Sequence, residues 1–368
     1  AASDVYKRQL LFLAAMFWMA ETVVPDIVNT AKENLTARAL AGDVISARIL
    51  AESIEQEVLH RIEELDTEAA TAHVRKIVAD SKSLSGEELQ KFCRDHSGDQ
   101  ELARNIRLLN TTREIASRTH PDRSWFLTDA EGRQIYRFPV EGEKGRSTIG
   151  DSFRHRDYFH GQGQDFEQSK VPDSLKPRNK SGVSAAYLSI ASGQYAIAIA
   201  VPVWNEDKTQ VVGVLGRSLH LTDLLDQWER QLQGEARPDQ RFLALAERST
   251  QGLSLLDHHW MTVENMSNRT EEIPIPSETA HLLQDKDRTD RYQDPIAAYD
   301  GRYAGNWLAA WSPVDGTRWI AIVQENRDIA LQPVGQLQNV FQRSGYIAIA
   351  VFSLMLGGFW MLLKRASG

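Results

Sequence analysis

The sequence predicts an α+β chain: a long N-terminal helix, two modules that each carry an antiparallel sheet with flanking helices, and a closing apolar helix that crosses a membrane. Three observations carry that prediction. Apolar residues recur at three- and four-residue spacing from Ile27 to Leu65. The period shortens to two in two separate regions, residues 124–221 and 241–325. Residues 345–363 then run nineteen positions without a charge. With 368 residues, 42% hydrophobic and 25% charged, the chain is long enough for two ordinary domains with cores of their own.

At the N-terminus, residues 10–20 are apolar and follow Lys7-Arg8. The run is shorter than the roughly 20 residues a spanning helix needs, and the chain has no initiator Met, so residues 1–20 read as the surviving end of a truncated first spanning helix, with a signal-peptide core as the alternative. Residues 21–66 form a spine. Leu40, Val44, Ala47, Ala51, Ile54, Val58 and Leu65 make one face, and Arg48, Glu52, Glu55 and Arg61 take the other. A helix over residues 27–65 reaches about 60 Å, more than a compact domain needs, so it is expected to run up from the membrane. A parallel homodimer contact is expected through Leu40, Val44, Ala51, Ile54 and Val58. Residues 67–119 continue mostly helical. The single cysteine, Cys93, precludes an internal disulfide and reads as a small buried hydrophobe.

The first sheet opens with a hairpin, residues 124–128 and 134–138 around the turn Asp129-Ala130-Glu131-Gly132. Residues 151–161 follow, Asp-Ser-Phe-Arg-His-Arg-Asp-Tyr-Phe-His-Gly. Arginine supplies a planar two-pronged donor and the aromatic rings supply stiff walls, a combination suited to a small anionic or zwitterionic ligand. Residues 162–180 are polar and read as a lid loop. Residues 195–203 alternate small and β-branched side chains, and with residues 211–221 they predict an antiparallel pair flooring a pocket. A short helix over 221–233 closes the first module (67–233), and residues 234–239 are a linker.

The second module, 240–327, is expected to hold a strand at 241–247, a helix at 276–284 and a strand pair at 306–313 and 317–325 turning at Asp315-Gly316. Residues 328–344 return the chain to the membrane, 345–363 cross it, and Lys364-Arg365 place the tail 364–368 in the cytoplasm.

The order of hairpin, Arg156-Asp157-Tyr158-Phe159 and two long strands resembles the double-Cache family of extracytoplasmic sensors, over roughly residues 27–324. The resemblance implies two PAS-like modules. It also implies a ligand pocket in the membrane-distal one, under the Arg-x-aromatic-aromatic segment, and a dimer through the spine. On it, Arg156, Tyr158, Phe159, Asp151, Tyr187, Ser189 and Ser218 are the expected ligand-binding residues. In the amino-acid-binding branch two acids on the later strands take the ligand's ammonium group. Here Ser189 and Ser218 stand at those positions, so the expected ligand is an organic acid or related anion. The segment from His155 to Gly161, with Val211-Val-Gly-Val-Leu-Gly216 and the short basic tail, further resembles the sensor half of bacterial receptor serine/threonine kinases.

Other chemistries find little footing. The net charge of −8 comes without a basic stripe, which argues against nucleic acid as a partner. His155-Arg156-Asp157 mimics a kinase catalytic loop, but Gln162 stands where that loop needs Asn. His155, His160, His258 and His259 lack the i,i+4 spacing of a metal site, and no Gly-x-Ser-x-Gly occurs. No catalytic residue, metal or cofactor is expected. The chain reads as the extracytoplasmic sensing region of a receptor in the inner membrane. The alternatives are a sensor for a histidine kinase, chemoreceptor or cyclic-dinucleotide enzyme, or an envelope binding protein or hydrolase without signalling.

Overall fold

The computed structural model describes residues 7, 11–12, 14–97, 101–116, 122–142, 145–220, 225, 241–249, 252–266 and 272–366. The expected linker 234–239 and all of the expected helix 221–233 except Leu225 lie outside them.

A single helix, α1 (Val24–Ala69, 46 residues), organises the chain. Pro25 sits in its first turn, where a missing N–H costs nothing. It ends where Thr71 turns the chain and accepts the Val74 N–H, capping α2 (Ala72–Ser81). Helices α3 (Gly86–His96) and α4 (Glu101–Ala116) follow. Cys93 on α3 is buried, and burial pushes its thiol up.

Two six-stranded antiparallel sheets lie along α1. The first has the order β2-β1-β6-β5-β3, with β4 also on β5: β1 Ser124–Asp129, β2 Gln134–Phe138, β3 Gly182–Val183, β4 Tyr187–Leu188, β5 Tyr195–Trp204 and β6 Val211–His220. The second runs β10-β11-β12-β7-β8-β9: β7 Arg241–Ser249, β8 Gly252–His258, β9 Ile273–Pro274, β10 Arg288–Tyr292, β11 Trp307–Pro313 and β12 Trp319–Asn326. Each sheet turns one face to α1. Ile197, Ile199 and Val201 do so in the first, and Leu243, Leu245, Ala321 and Val323 in the second. With Ala47, Leu50, Ile54 and Leu65 they form one continuous core.

That packing corrects the expected dimer face. Leu40, Ala51, Ile54 and Val58 are buried, and Ala51, Ile54 and Val58, with Val44 packed against them, belong to the core shared with the two sheets, so these side chains are covered within the protein's own chain. Ile45, Ile49 and Leu59 lie on the solvent side of α1 instead, 60%, 52% and 43% exposed. Arg61, expected on the polar face, is also buried. It joins Glu57 and Asp122 at 2.5 Å each, beside Arg217 of β6, which bonds Glu64 at 2.7 Å. Burial, partly countered by Asp122, lowers Arg217 to about 10.

Short helices α5 (Asp157–His160), α6 (Val263–Met266) and α7 (Ser277–Asp285) lie between strands, and after β12 helix α8 (Arg327–Ala366) runs back along the foot of α1, where Tyr346 donates to Glu21 at 2.5 Å. Among the described residues this is the one helix long and apolar enough to cross a membrane. The described part of residues 1–20 is helical as well, and Phe12 meets Phe352 at a ring-centroid distance of 5.2 Å.

Candidate ligand site

The site lies on the face of the first sheet turned away from α1. Alternation in β5 sends Ile197 and Ile199 to the core and Ala196, Ala198 and Ala200 to this outer face. Gly216 of β6 lies beside them, and a Cβ there would fall 2.4 Å from the Phe126 ring. These small residues lie under a layer of larger ones, Phe126, Phe153, Tyr158, Phe159 and Tyr187. The corresponding face of the second sheet is filled by Phe242, Trp307, Trp311, Ile320 and Ile322.

The wall is a one-turn helix, α5 (Asp157–His160), entered through extended Arg156 and ended by Gly161 at a φ of 71°, a left-handed turn that glycine adopts without strain. Tyr158, buried, packs against Phe126 and Tyr187 with ring centroids 4.7 and 5.4 Å away. The Arg156 guanidinium lies 5.1 Å from the Tyr187 ring centroid. It donates through Nη1 to Asp165 at 2.6 Å and through Nη2 to the Leu188 carbonyl at 3.1 Å. Its Nε is buried without a partner among the described residues. Burial raises the Tyr158 and Tyr187 hydroxyls above the usual phenol range, so both stay neutral.

Between wall and floor is a cavity of about 40 Å³ on which Arg156, Tyr158, Tyr187, Ser189 and Ser218 converge. Asp151 and Phe159 are placed elsewhere. Asp151 is half-exposed and faces Arg146 at 3.4 Å. Phe159 is fully buried in the cluster behind the wall. Arg154 bonds the Leu175 carbonyl at 2.9 Å, on the 162–180 loop.

Ser124, Gln134, Arg137 and Thr148 also line the cavity, and sequence reasoning missed them. Ser124 lies opposite Ser218 across β1 and β6, with the two hydroxyls 2.8 Å apart, so alternation from Ser218 leads to it. Gln134 and Arg137 are three apart and would face opposite ways in a regular strand. The β1–β2 register slips between Leu127 and Thr128, a bulge that sends both Ile135 and Tyr136 to the core and returns Gln134 and Arg137 to the cavity. Two arginines and no carboxylate therefore line it.

Asp157, next to Arg156, fastens the wall to the rest of the molecule. Its carboxylate accepts the Gly163 N–H at 2.5 Å and the Ala185 N–H at 2.7 Å, and faces Arg318 of the second module at 3.7 Å. Arg318 in turn bonds Glu247 of β7 at 2.9 Å. In the second module His258, Asp294 and Gln324 form a buried polar cluster in which His258 Nε2 lies 3.1 Å from Asp294 and Nδ1 accepts the Trp260 N–H at 3.0 Å.

Two larger grooves flank α1, about 540 Å³ beside Lys32, Arg288 and Arg327 and about 420 Å³ beside Glu63, Glu64 and Glu68. Each mixes exposed polar side chains along a helix flank. Neither gathers buried aromatic and guanidinium groups around one point, as the smaller cavity does.

No protein-family model matches the sequence, and neither does any curated protein. Solved structures similar to this chain include three bacterial sensor domains. The ligand-binding domain of the Pseudomonas fluorescens chemoreceptor CtaA, in complex with L-isoleucine, is 17% identical, with a TM-score of 0.46, and the match covers 83% of this chain and 97% of that one. The ligand-binding domain of the Pseudomonas aeruginosa amino acid chemoreceptor PctC, in complex with GABA, is 12% identical with a TM-score of 0.39, over 77% and 99%. The sensory domain of the Campylobacter jejuni chemoreceptor Tlp3 with isoleucine bound is 14% identical with a TM-score of 0.42, over 81% and 97%.

Proposed function

We propose that this chain is the extracytoplasmic sensing region of a transmembrane signalling receptor of the double-Cache kind, anchored in the inner membrane, and that its first module binds a small carboxylate or related anion. The observation that carries the reading is the Arg156 guanidinium, held against the Tyr187 ring over a cavity lined by Arg137, Ser189 and Ser218 and by no acid. A carboxylate seated there meets a planar donor fork and several hydroxyls. An α-amino acid would bring an ammonium group for which the cavity lining supplies no carboxylate, and the acid beside it, Asp165, is already paired with Arg156 at 2.6 Å. A second copy packs on the outer side of α1, through Ile45, Ile49 and Leu59. The output is the serine/threonine kinase implied by the resemblance of His155–Gly161. A histidine kinase, chemoreceptor or cyclic-dinucleotide enzyme is the alternative, and the flanking coding sequence decides among them.

The test is a melting-shift screen of the chain in detergent against organic acids, amino acids and amines, with hits then titrated into Arg156→Ala. Loss of a charge-assisted contact of about 1.5–3 kcal/mol lowers affinity roughly tenfold or more, and Arg156→Lys restores only part of it because an ammonium lacks the planar fork. A hit that binds folded Arg156→Ala as tightly as wild type refutes the assignment.

A further inference from the structure

Arg156 already has a carboxylate partner within the protein. The strongest polar contact of Arg156 is internal, Nη1 to the Oδ2 of Asp165 at 2.6 Å, and Asp165 comes from the 162–180 loop rather than from either sheet. The cavity beside it, about 40 Å³, has room for a water or two, whereas small-molecule pockets run to roughly 300–1,000 Å³. The cavity as it stands is smaller than such a ligand.

We propose that Asp165 is a built-in stand-in for the ligand's anionic group: its carboxylate occupies the Arg156 guanidinium until an incoming carboxylate exchanges with it, so Asp165 sets both the affinity and the charge selectivity of the site. This rests on the reading of the cavity given above. Two features fit an exchange. The Asp165 side chain is 25% exposed and that of Arg156 13%, so a displaced Asp165 has water to turn into while the guanidinium stays behind. The loop is also held on both sides of Asp165, by the Gly163 N–H on Asp157 and the Phe166 N–H on the His155 carbonyl at 2.9 Å. A side-chain rotation therefore opens the site without unfastening the loop. Exchange of one carboxylate for another keeps the ion pair, so the ligand's net gain comes from what Asp165 cannot reach, the hydroxyls of Ser189 and Ser218. A neutral molecule has nothing to offer Arg156 in return and is rejected. Exchange also reaches the backbone, because the other Asp165 oxygen accepts the Asp157 N–H at 2.8 Å, and Asp157 faces Arg318 across the modules.

The test titrates acetate, at constant ionic strength, into the whole chain in detergent as wild type, Asp165→Asn, Arg156→Ala and the double variant. Asparagine keeps an oxygen for the Asp157 N–H and removes the charge that competes for Arg156. If the paired form outweighs the open one tenfold or more, apparent affinity is reduced by that factor. Asp165→Asn is then expected to bind acetate at least about tenfold more tightly than wild type, and the gain is expected to vanish in the double variant. Asp165→Ser should show the same gain and stands in if Asp165→Asn does not fold. Equal or weaker acetate binding by the Asp165 variants, no binding at all, or a gain that survives Arg156→Ala each overturns the proposal. Wild-type binding that Arg156→Ala abolishes while Asp165→Asn leaves it unchanged removes only the stand-in. Binding indifferent to Arg156 removes the site as well.

Discussion

Arg156 and Phe159 are three residues apart in one short segment and do different work. The segment's composition marked both, but only burial separates them. Phe159 is a core side chain, so Phe159→Ala should cost about 3–5 kcal/mol of stability, read by chemical denaturation, whereas Arg156→Ala should change ligand affinity far more than melting temperature. A Phe159→Ala protein as stable as wild type would put that ring outside the core. Asp43 on α1 offers a test by pH. Burial, aided by Glu325 and partly offset by Arg241, pushes it up to about 6, above its value in the unfolded chain. The folded state therefore holds the Asp43 proton longer, so this contribution is full below about pH 4 and is lost as pH rises to about 6. Relative to Asp43→Asn, wild-type stability should fall by about 2–3 kcal/mol over that range. A flat difference between the two would contradict the burial account.

At the scale of elements, helix α1 shows what a periodic pattern conveys and what it omits. Spacing picked out the apolar face correctly, but it carries no information about which partner covers that face, and two sheets of the same chain do. On the outer side Ile45, Ile49 and Leu59 share the surface with charged residues, so no apolar period marks that side. Ile45→Glu with Ile49→Glu should abolish self-association in sedimentation while leaving the fold intact, whereas Val44→Asp with Ile54→Asp should unfold the chain. Double glutamate variants that still self-associate as wild type does would rule out this face. Strands β5, β6, β11 and β12 were legible because β-branched and aromatic residues alternate there. Strand β10, Arg-Thr-Asp-Arg-Tyr, was not. It forms one edge of its sheet, where charged side chains guard unpaired backbone groups and erase the hydrophobic signal. The cavity was half legible for a related reason. The family resemblance led to Ser189 and Ser218, but Gln134 and Arg137 reach the cavity through a bulge that no local pattern announces.

At the scale of the whole molecule, both sheets hang on one helix that runs alongside the apolar helix α8 at its foot, so α1 links the first sheet to α8. The reading places the sheets outside the cell. In a Cys93→Ser background, a cysteine at exposed Ser174 should react with an impermeant thiol reagent in intact cells, and labelling only after lysis would reverse the topology. The claim on which the rest depends is that a carboxylate binds over the small-residue face of the first sheet. A crystal structure of the chain bound to a screening hit tests it most directly. The ligand's carboxylate is predicted within about 3 Å of the Arg156 guanidinium, with Asp165 turned away and Ser189 or Ser218 in contact. Ligand found instead in the groove beside Lys32 and Arg327, with the Arg156–Asp165 pair undisturbed, would contradict it.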